Sequence, residues 1–324
     1  MRASLRGTSG QQFSLTGRKV LVLVGPTAAG KTSVSLSLAQ NLCGEIISAD
    51  SRQIYKHMNI GTAKASMVDR WNVPHYFVDE CEPGENFNAG EFGKRGRVCI
   101  DDILARRKVP IVVGGSGLYL RAVIDGFFDG PSADPSIRNE LYRRSHEEGN
   151  DVLLDELRRI DPVAAGRMLP SNIRRIVRAL EVYYATGTTI SYFQKKEINV
   201  NFVSVWCGLQ WDRAKLYARI NRRVDRMIDD GFLEEARELQ RLDMTPTATA
   251  LQTVGYKEAF AYLHGKLEYG KMIDLMKMNS RRYAKRQMTW FRQNHRIRWF
   301  EVQDESDLPG VALKIRDHFS SNTH

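Results

Sequence analysis

Long apolar runs are missing from this chain of 324 residues, and cysteine is scarce. No stretch of roughly 18 or more apolar residues occurs, so a membrane-spanning helix is not expected. The four cysteines, Cys43, Cys81, Cys99 and Cys207, are scattered and contain no C-x-x-C pair. This usage argues against a disulfide framework and a cysteine-based zinc site and fits a reducing cytosol. We therefore expect a cytoplasmic protein, a monomer by default, that does not enter a membrane.

Acidic residues are also fewer than basic ones. The chain has 48 Lys and Arg residues but only 38 Asp and Glu residues, which gives a net charge of +10. The basic residues concentrate between Arg167 and Arg226 and between Lys271 and Arg298, where acidic residues are sparse. Such a distribution indicates a polyanionic partner, although the total alone favours nucleic acid only weakly over simple solubility.

The first 18 residues carry three arginines, no acidic residue and several Ser, Thr and Gly. Both a transit peptide and a disordered tail have this composition. The segment is short and lacks an amphipathic pattern, which favours a flexible tail.

Short apolar runs cover residues 19–24, 45–49 and 109–113, and a helical pattern covers residues 31–42. Such runs predict buried parallel strands, and their alternation with helices predicts an α/β sheet flanked by helices. Gly25, Asp50 and Gly114 then stand at the carboxyl ends of strands, where parallel sheets bind ligands. Three separate signals thus indicate one crevice.

The composition changes near Gly130-Pro131, after which the chain is charged and helical to about residue 196. We predict a helical insertion over residues 131–199, with strand character resuming at residues 202–209. The remaining pattern is helical to about residue 294. The expected catalytic core therefore comprises residues 19–130 and 200–300, and residues 301–324 are expected to form a terminal tail or weak helix.

A phosphate-binding motif follows the first predicted strand and precedes the first predicted helix. Gly25, Pro26, Thr27, Ala28, Ala29, Gly30, Lys31 and Thr32 match G-x-x-x-x-G-K-[ST] in full. Glycines let backbone amides converge on phosphate oxygens, and the helix N-terminus adds positive potential. Lys31 adds a charge, and Thr32 offers a hydroxyl to Mg²⁺. The motif indicates a P-loop-type fold that binds a diphosphate or triphosphate, without deciding whether phosphate is transferred or leaves.

A P-loop kinase or GTPase is the first alternative, but two features argue against it. The third strand is followed by Val113-Gly114-Gly115-Ser116-Gly117, where many P-loop NTPases place an acidic Mg²⁺ ligand. The guanine-binding N-K-x-D motif is absent as well.

Seven segments extend the pattern over nearly the whole chain. They are GPTAAGKT (25–32), EIISADSRQIYKHMNIGTAK (45–64), VPHYFVD (73–79), PIVVGGSGLYLRAVIDG (110–126), IRRIVRALEV (173–182), LQTVGYKEAF (251–260) and RRYAKRQMTWFR (281–292). In order and spacing they resemble the tRNA dimethylallyltransferase family. Arg52 stands where that family often has Met, and Ser116 where it often has Thr. Because no Cys/His pair like the zinc finger of longer eukaryotic members follows, the chain is similar to the compact bacterial type.

The resemblance implies transfer of a dimethylallyl group from dimethylallyl diphosphate to the N6 amine of the adenosine 3′ to the anticodon, with release of diphosphate. The P-loop can bind the donor, and Arg219 and Arg223 are candidate additional clamps. An attacking amine must lose a proton, and Asp50 is the expected base; the alternatives are a helix cap or a water-mediated Mg²⁺ ligand. Ser116 is expected beside the reacting groups, with a simple turn serine as the alternative.

The tRNA anticodon loop is the expected partner, since single-stranded loops expose their bases to proteins. Gln53 offers an amide that can read an adenine edge, although a solvated glutamine has the same signature. In helix 279–293 we expect the cations to contact RNA and the aromatics to lie mostly in the core. Residues 253–258 are assigned to RNA by the resemblance alone. The predicted tRNA contacts are Asp50, Ser51, Arg52, Gln53, Ser116, Arg174, Arg175, Ile176, Val177, Arg178, Thr253, Val254, Gly255, Tyr256, Lys257, Glu258, Lys285, Arg286, Gln287, Met288, Thr289, Trp290, Phe291 and Arg292.

Two other functions stay open at this point. A related group prenylates free adenine nucleotides, and it is not expected to need basic helices that grip tRNA. A P-loop kinase or RNA-binding ATPase is the third possibility, disfavoured by the missing acidic residue after strand 109–113.

Overall fold

The computed structural model describes residues 18–126, 134–195, 200–242 and 251–322. Its strands are β1 (Lys19–Val24), β2 (Gly44–Ser48), β3 (His75–Tyr76), β4 (Val109–Gly114), β5 (Val203–Trp211) and β6 (Ile297–Val302). They form one parallel sheet in the order β3-β2-β4-β1-β5-β6. The predicted parallel α/β sheet is confirmed. The two-residue β3 and the strand β6 were not predicted.

The helices lie between and after these strands. In chain order they are α1 (Lys31–Leu42), α2 (Met67–Asn72), α3 (Ala89–Ala105), α4 (Gly117–Ile124), α5 (Pro135–Glu147), α6 (Asn150–Ile160), α7 (Pro162–Ala165), α8 (Ile173–Thr186), α9 (Ile190–Gln194), α10 (Arg213–Asp229), α11 (Phe232–Gln240), α12 (Tyr256–Leu263), α13 (Tyr269–Phe291) and α14 (Leu308–Ser321). The helix predicted over residues 279–293 is the last half of the longer α13. Among the described residues, none of the helices has both the length and the apolar character that a membrane crossing needs.

The chain divides into two compact units. One contains the residues up to Ile124 and those from Asn201 onward, and the other spans Asp125–Val200. The described part of the second unit contains helices α5 to α9, whose apolar faces share one core. Asp134 caps α5 by accepting hydrogen bonds from two backbone N–H groups, and Pro135 occupies the first turn. Those residues therefore begin the helix as capping rules predict.

The first unit places ligand-binding loops at one edge of its sheet. β1 pairs with β4 on one side and with β5 on the other, and its residues are buried because both faces of the sheet are covered. The chain leaves β1 for β2 beyond β4 and later returns to β5 on the opposite side. The order therefore reverses at β1, and the carboxyl end of such a strand opens into a crevice.

The carboxyl-terminal residues correct one expectation, since they are not a loose tail. β6 pairs with β5, and α14 packs against α1 over the same face of the sheet. Its side chains Val311, Ile315 and Phe319 are buried in one core with Leu21 and Leu38. The proposed tail at residues 1–18 lies outside the described residues except for Arg18, as does Lys196 of the first basic segment.

Candidate active site

The loop after β1 connects a buried strand to the first turn of α1, which is the context that the motif requires. Gly30 precedes the helix with a φ of 89°, a region that favours glycine. Any Cβ at this position would lie 2.7 Å from a side-chain carbon of Leu308. Backbone N–H groups of the loop and the helix N-terminus together form an anion-binding site.

Lys31 folds back over this loop. Its Nζ donates to the carbonyl oxygen of Gly25 at 3.0 Å and to that of Pro26 at 2.8 Å. Burial lowers the pKa of the ammonium to about 8; the Asp50 carboxylate opposes this shift and the Arg223 guanidinium adds to it. Lys31 and Asp50 are thus close enough to interact electrostatically.

Arg223 on α10 also contacts the loop. Its Nη1 donates to Thr27 Oγ1 at 3.0 Å. Burial lowers the pKa of this guanidinium, and the Asp50 carboxylate opposes the shift. A cation drawn out of solvent beside the phosphate loop matches the predicted clamp, although its contact with a donor stays a prediction.

Arg219, the second predicted clamp, is engaged with the protein itself. Its Nε donates to the carbonyl oxygen of Ala28 at 3.0 Å, and its Nη1 pairs with Glu305. The guanidinium also lies 4.3 Å from the centre of the Trp211 ring. Arg219 therefore braces the loop, and Glu305 neutralises part of its charge.

Asp50 and Ser116 follow neighbouring strands and meet at the carboxyl edge of the sheet. Ser116 Oγ accepts a hydrogen bond from the backbone N–H of Ser51 at 3.2 Å. One carboxylate oxygen of Asp50 accepts from the backbone N–H of Arg52 at 2.9 Å, which fixes the turn that carries it. Gly114 permits this approach, since a Cβ there would lie 2.1 Å from the carbonyl oxygen of Ala49.

The neighbouring residues Arg52 and Gln53 differ in whether their side chains have hydrogen-bonding groups left for a ligand. Arg52 lines the cavity at this site, and its Nη1 is buried with no hydrogen-bond partner in the described part of the chain. Gln53 is committed internally: its Oε1 accepts from Ser48 Oγ at 2.9 Å, and its Nε2 donates to the carbonyl of Thr62 at 3.2 Å. An adenine would have to displace those bonds, so the structure favours a supporting role for Gln53 over the predicted reading role.

A cavity of about 290 Å³ joins Thr27 of the phosphate loop, the turn at Asp50 and Arg223, and all of its lining residues belong to the first unit. Pockets for small molecules begin near roughly 300 Å³, so the volume suits a compact ligand. Polar groups of the phosphate loop and the Asp50 turn line one part, and apolar side chains of α10 and α13 line another. The lining residues are Thr27, Asp50, Ser51, Arg52, Gly61, Thr62, Ile220, Arg223, Val224, Met227, Gln252, Thr253, Val254, Gly255, Met276, Ser280, Tyr283 and Arg286.

The segment 253–258, assigned to RNA by resemblance, is mostly part of the cavity wall. Thr253, Val254 and Gly255 line the cavity, whereas Tyr256 and Glu258 are buried behind it. Glu258 accepts a hydrogen bond from the backbone N–H of Gly255 at 2.7 Å and thereby caps α12. Lys257 is the exposed member of the segment, and its predicted RNA contact stays open.

Sequence reasoning missed Glu235, which organises this wall. Its carboxylate accepts hydrogen bonds from the backbone N–H groups of Asn59, Ile60 and Gly61 at 2.7, 2.8 and 2.9 Å. It also accepts a hydrogen bond from the hydroxyl of Tyr256 at 2.6 Å. An acidic residue on an amphipathic helix normally faces solvent, so no local signal marked this one.

Helix α13 presents two different faces. Lys285, Thr289 and Arg292 are exposed, and Arg286 is exposed at the rim of the cavity. Phe291 is fully buried, as the expectation of core aromatics requires, while Trp290 and Met288 are half-buried.

Gln287 on this helix was predicted to contact tRNA, but its side chain faces the interior. Its Oε1 accepts the backbone N–H of Thr27 at 2.8 Å, and its Nε2 donates to the carbonyl of Gly115 at 3.0 Å. A Cβ at position 115 would lie 2.1 Å from that nitrogen, so a larger residue there would displace the Gln287 amide. Gln287 thus ties the phosphate loop to the Gly114–Gly117 loop and is buried away from any large ligand.

Helix α8 of the second unit also divides by exposure. Arg174 and Arg175 are exposed, whereas Ile176 and Val177 lie in the core and cannot offer their side chains to RNA. Arg178 pairs with the buried carboxylate of Glu181 at 2.8 Å. A direct side-chain role for Ile176 and Val177 was therefore wrongly assigned, because packing already occupies them, whereas the RNA contact of the partly exposed Arg178 stays a prediction.

The residues around Thr32 are compatible with a phosphate-bound Mg²⁺. The side chain of Thr32 is exposed in the first turn of α1, and its hydroxyl forms no hydrogen bond within the described ranges. Among those residues no cluster of three His, Cys, Asp or Glu side chains could hold a metal. Mg²⁺ commonly keeps several waters and binds phosphate oxygens with few protein ligands, and the donor set present here fits that mode.

The parallel sheet, the strand–loop–helix phosphate site and the carboxylate beside it define a P-loop protein that handles a phosphorylated ligand. Comparison with known proteins narrows the class. The family model described as IPP transferase matches residues 53–294, and the model described as Isopentenyl transferase matches residues 18–80. The chain belongs to the IPP transferase family.

Relatives with assigned names match this chain over almost its full length. The tRNA dimethylallyltransferase of Anoxybacillus flavithermus is 46% identical and is matched over 94% of this chain and 99% of its own. The solved tRNA isopentenylpyrophosphate transferase of Bacillus halodurans is 39% identical, with a TM-score of 0.68 over 94% of this chain and 98% of its own. A eukaryotic dimethylallyltransferase, whose crystal structures show it acting on tRNA, is 30% identical. Its TM-score is 0.80, and the match covers 94% of this chain and 80% of its own.

Proposed function

We propose that this chain is a tRNA dimethylallyltransferase that transfers the prenyl group of dimethylallyl diphosphate to the N6 amine of the adenosine 3′ to the anticodon. The observation that carries the proposal is the cavity that joins Thr27 of the phosphate loop, the Asp50 carboxylate and an apolar wall. Each part matches one part of the reaction: diphosphate, amine proton and prenyl group. Relatives named for this activity match 94% of the chain.

The leaving diphosphate is the largest charge that the site must stabilise. Loop amides and the N-terminus of α1 offer fixed dipoles, and Lys31 and Arg223 offer two cations of lowered pKa. These groups are already aimed at the loop before the carbon–oxygen bond breaks. Stabilising charge that develops in the transition state lowers the barrier more than binding the ground state does.

The acceptor amine forms the new carbon–nitrogen bond as the bond to the diphosphate oxygen breaks. One proton must leave the nitrogen, and Asp50 is the carboxylate placed beside the cavity to take it. The turn held by Arg52 and Ser116 fixes its position. Half-buried Tyr283 and the apolar wall exclude water, which would otherwise trap the allylic cation.

Mg²⁺ is the proposed cofactor, with Thr32 and the donor's phosphate oxygens as its ligands; when bound, it would supply a positive charge to the leaving group. The proposed macromolecular partner is the tRNA anticodon loop, from which an adenine can be extruded for a few kcal/mol. Exposed cations on α8 and α13 and the guanidinium of Arg52, which lines the cavity, are the proposed phosphate contacts. We further propose a cytoplasmic monomer.

The test incubates the protein with labelled dimethylallyl diphosphate, Mg²⁺ and either unmodified tRNA or AMP. Label should enter tRNA and not AMP; the reverse result would identify a free-nucleotide prenyltransferase. Asp50→Asn should lower the single-turnover rate about 100-fold or more and leave tRNA affinity unchanged. Asp229→Asn, an exposed carboxylate on α10, is the matched control and should retain the wild-type rate.

A further inference from the structure

Two antiparallel helices form the apolar wall of the cavity. Arg281 on α13 donates to Asn221 on α10 at 2.6 Å, and Lys277 pairs with Asp225 at 2.5 Å. Asn221 and Asp225 are four residues apart on α10, and their partners Arg281 and Lys277 are four residues apart in the reverse direction on α13. The two helices therefore run antiparallel in this register. This register places Met276 within one residue of the position opposite Met227.

Both helices lead away from the phosphate loop. Arg223 and Gln287 contact Thr27 and mark the end where the diphosphate is proposed to bind. Met227 lies one turn beyond Arg223, or about 6 Å along the helix axis. Met276 lies eleven residues before Gln287, or about 16 Å along its axis. Both methionines line the cavity, and we call the part of it that they line, farther along both helices than the loop contacts, its far end.

The far end is tightly packed. Val224, Met227 and Met276 are only 3%, 8% and 1% exposed. Gly255 completes it, since a Cβ at this position would lie 3.7 Å from Met276 Cε. With a φ of 97°, Gly255 is also confined to a backbone conformation that resists substitution.

The layer behind this end is held rigidly. The rings of Phe232 and Tyr256 pack edge to face with centroids 5.0 Å apart. Tyr256 leaves no room for a Cβ at Gly61, whose ideal position is 2.5 Å from the ring. The Glu235 carboxylate binds both Tyr256 and the backbone of Gly61. The wall therefore cannot retreat without breaking several hydrogen bonds.

From this geometry we infer that Met227 and Met276 are specificity-determining residues that limit the prenyl donor to five carbons. The inference rests on the proposed function. A donor whose diphosphate sits at the loop extends its chain toward the methionines, and a second isoprene unit would overlap their side chains. Overpacking a rigid apolar site is destabilising, and even one extra methylene changes discrimination about 10- to 200-fold.

The experiment compares dimethylallyl diphosphate with geranyl diphosphate, the ten-carbon donor, at saturating tRNA. Met276→Ala and Met227→Ala remove side-chain volume at the far end. Each should raise the ratio of kcat/KM for geranyl over dimethylallyl diphosphate by about tenfold or more relative to wild type. Ser280→Leu, one turn nearer the loop on α13, should fill the cavity and raise KM for dimethylallyl diphosphate without changing tRNA affinity.

The matched control is Met272→Ala. Met272 is fully buried on the same helix, one turn beyond Met276, and it does not line the cavity. It should carry a comparable stability cost, measured by Tm, and keep the wild-type donor ratio. Unchanged ratios in folded Met276→Ala and Met227→Ala would overturn the inference while leaving the function intact. If the alanine variants do not fold, an unchanged donor KM in Ser280→Leu overturns it instead. Failure of the wild type to use dimethylallyl diphosphate with tRNA would reject the function itself.

Discussion

At the scale of single residues, the ammonium of Lys31 links donor binding to pH. Its pKa is lowered to about 8 from an ordinary 10.5, mainly by burial, so the folded protein loses this charge well before a free lysine does. Below that pH the charged group attracts diphosphate, and above it the attraction fades. We therefore expect kcat/KM for the donor to decline as pH rises through about 8.

The measurement is a pH profile of kcat/KM for dimethylallyl diphosphate at saturating tRNA. Lys31→Arg is the control, because a guanidinium stays charged and should remove the decline. A wild-type profile that stays flat through this range would assign the phosphate contact to other groups.

Gln287 provides a second prediction at this scale. Leucine at position 287 would remove both hydrogen bonds that join the phosphate loop to Gly115. Leaving such buried groups unpaired costs about 1–3 kcal/mol, so Gln287→Leu should raise the donor KM about 5- to 150-fold. Affinity for tRNA should stay within about twofold of wild type, since the side chain faces the loops. Gln293→Leu, exposed near the same helix end, is the control. The opposite pattern, lost tRNA affinity with an unchanged donor KM, would return Gln287 to the RNA interface.

At the scale of elements, α8 and α13 each carry exposed cations over an apolar stripe that already accounts for packing. Replacing both Arg174 and Arg175 by Ala, or both Lys285 and Arg292 by Ala, should weaken tRNA binding. Each lost phosphate contact should also flatten the log–log salt dependence of affinity by roughly 0.7–0.9. The single-turnover rate at saturating tRNA should fall less than affinity does, because these groups position and do not react.

Salt titrations of tRNA binding test this prediction for wild type and both double variants. Arg158→Ala and Arg237→Ala are the controls, since each of these surface arginines is paired with an acidic neighbour. Equal slopes in every protein would identify the cations of α8 and α13 as ordinary solvated surface.

At the scale of the whole molecule, the carboxyl-terminal helix α14 is part of the core that supports the phosphate loop. Ile315 is fully buried against the face that α1 shares with the sheet. Ile315→Ala should lower the free energy of unfolding by about 2–5 kcal/mol. Denaturant titration measures the change, and Leu313→Ala, 44% exposed on the same helix, should have little effect. Equal stabilities of the two variants would show that α14 contributes no packing energy.

Local patterns in the chain are enough to identify much of the fold. Apolar runs mark β1, β2, β4 and β5, and the motif at residues 25–32 marks the loop that opens the site. Each of these signals lies within a few adjacent residues, because an apolar run and the glycines of a loop are patterns of consecutive residues. Asp50 stands out for the same reason, since it directly follows the predicted strand at residues 45–49.

Sequence patterns alone predict four of the six described strands, the phosphate loop and, through the resemblance to a family, the chemistry. It took the folded chain to show that Gln287 faces the loop, that Glu235 faces the backbone of residues 59–61, and that Arg178 pairs with a buried carboxylate. The folded chain also shows that α14 belongs to the core. These outcomes depend on partners far away in the chain, and an amide, a carboxylate or a guanidinium has the same local signature in solvent and in a buried network.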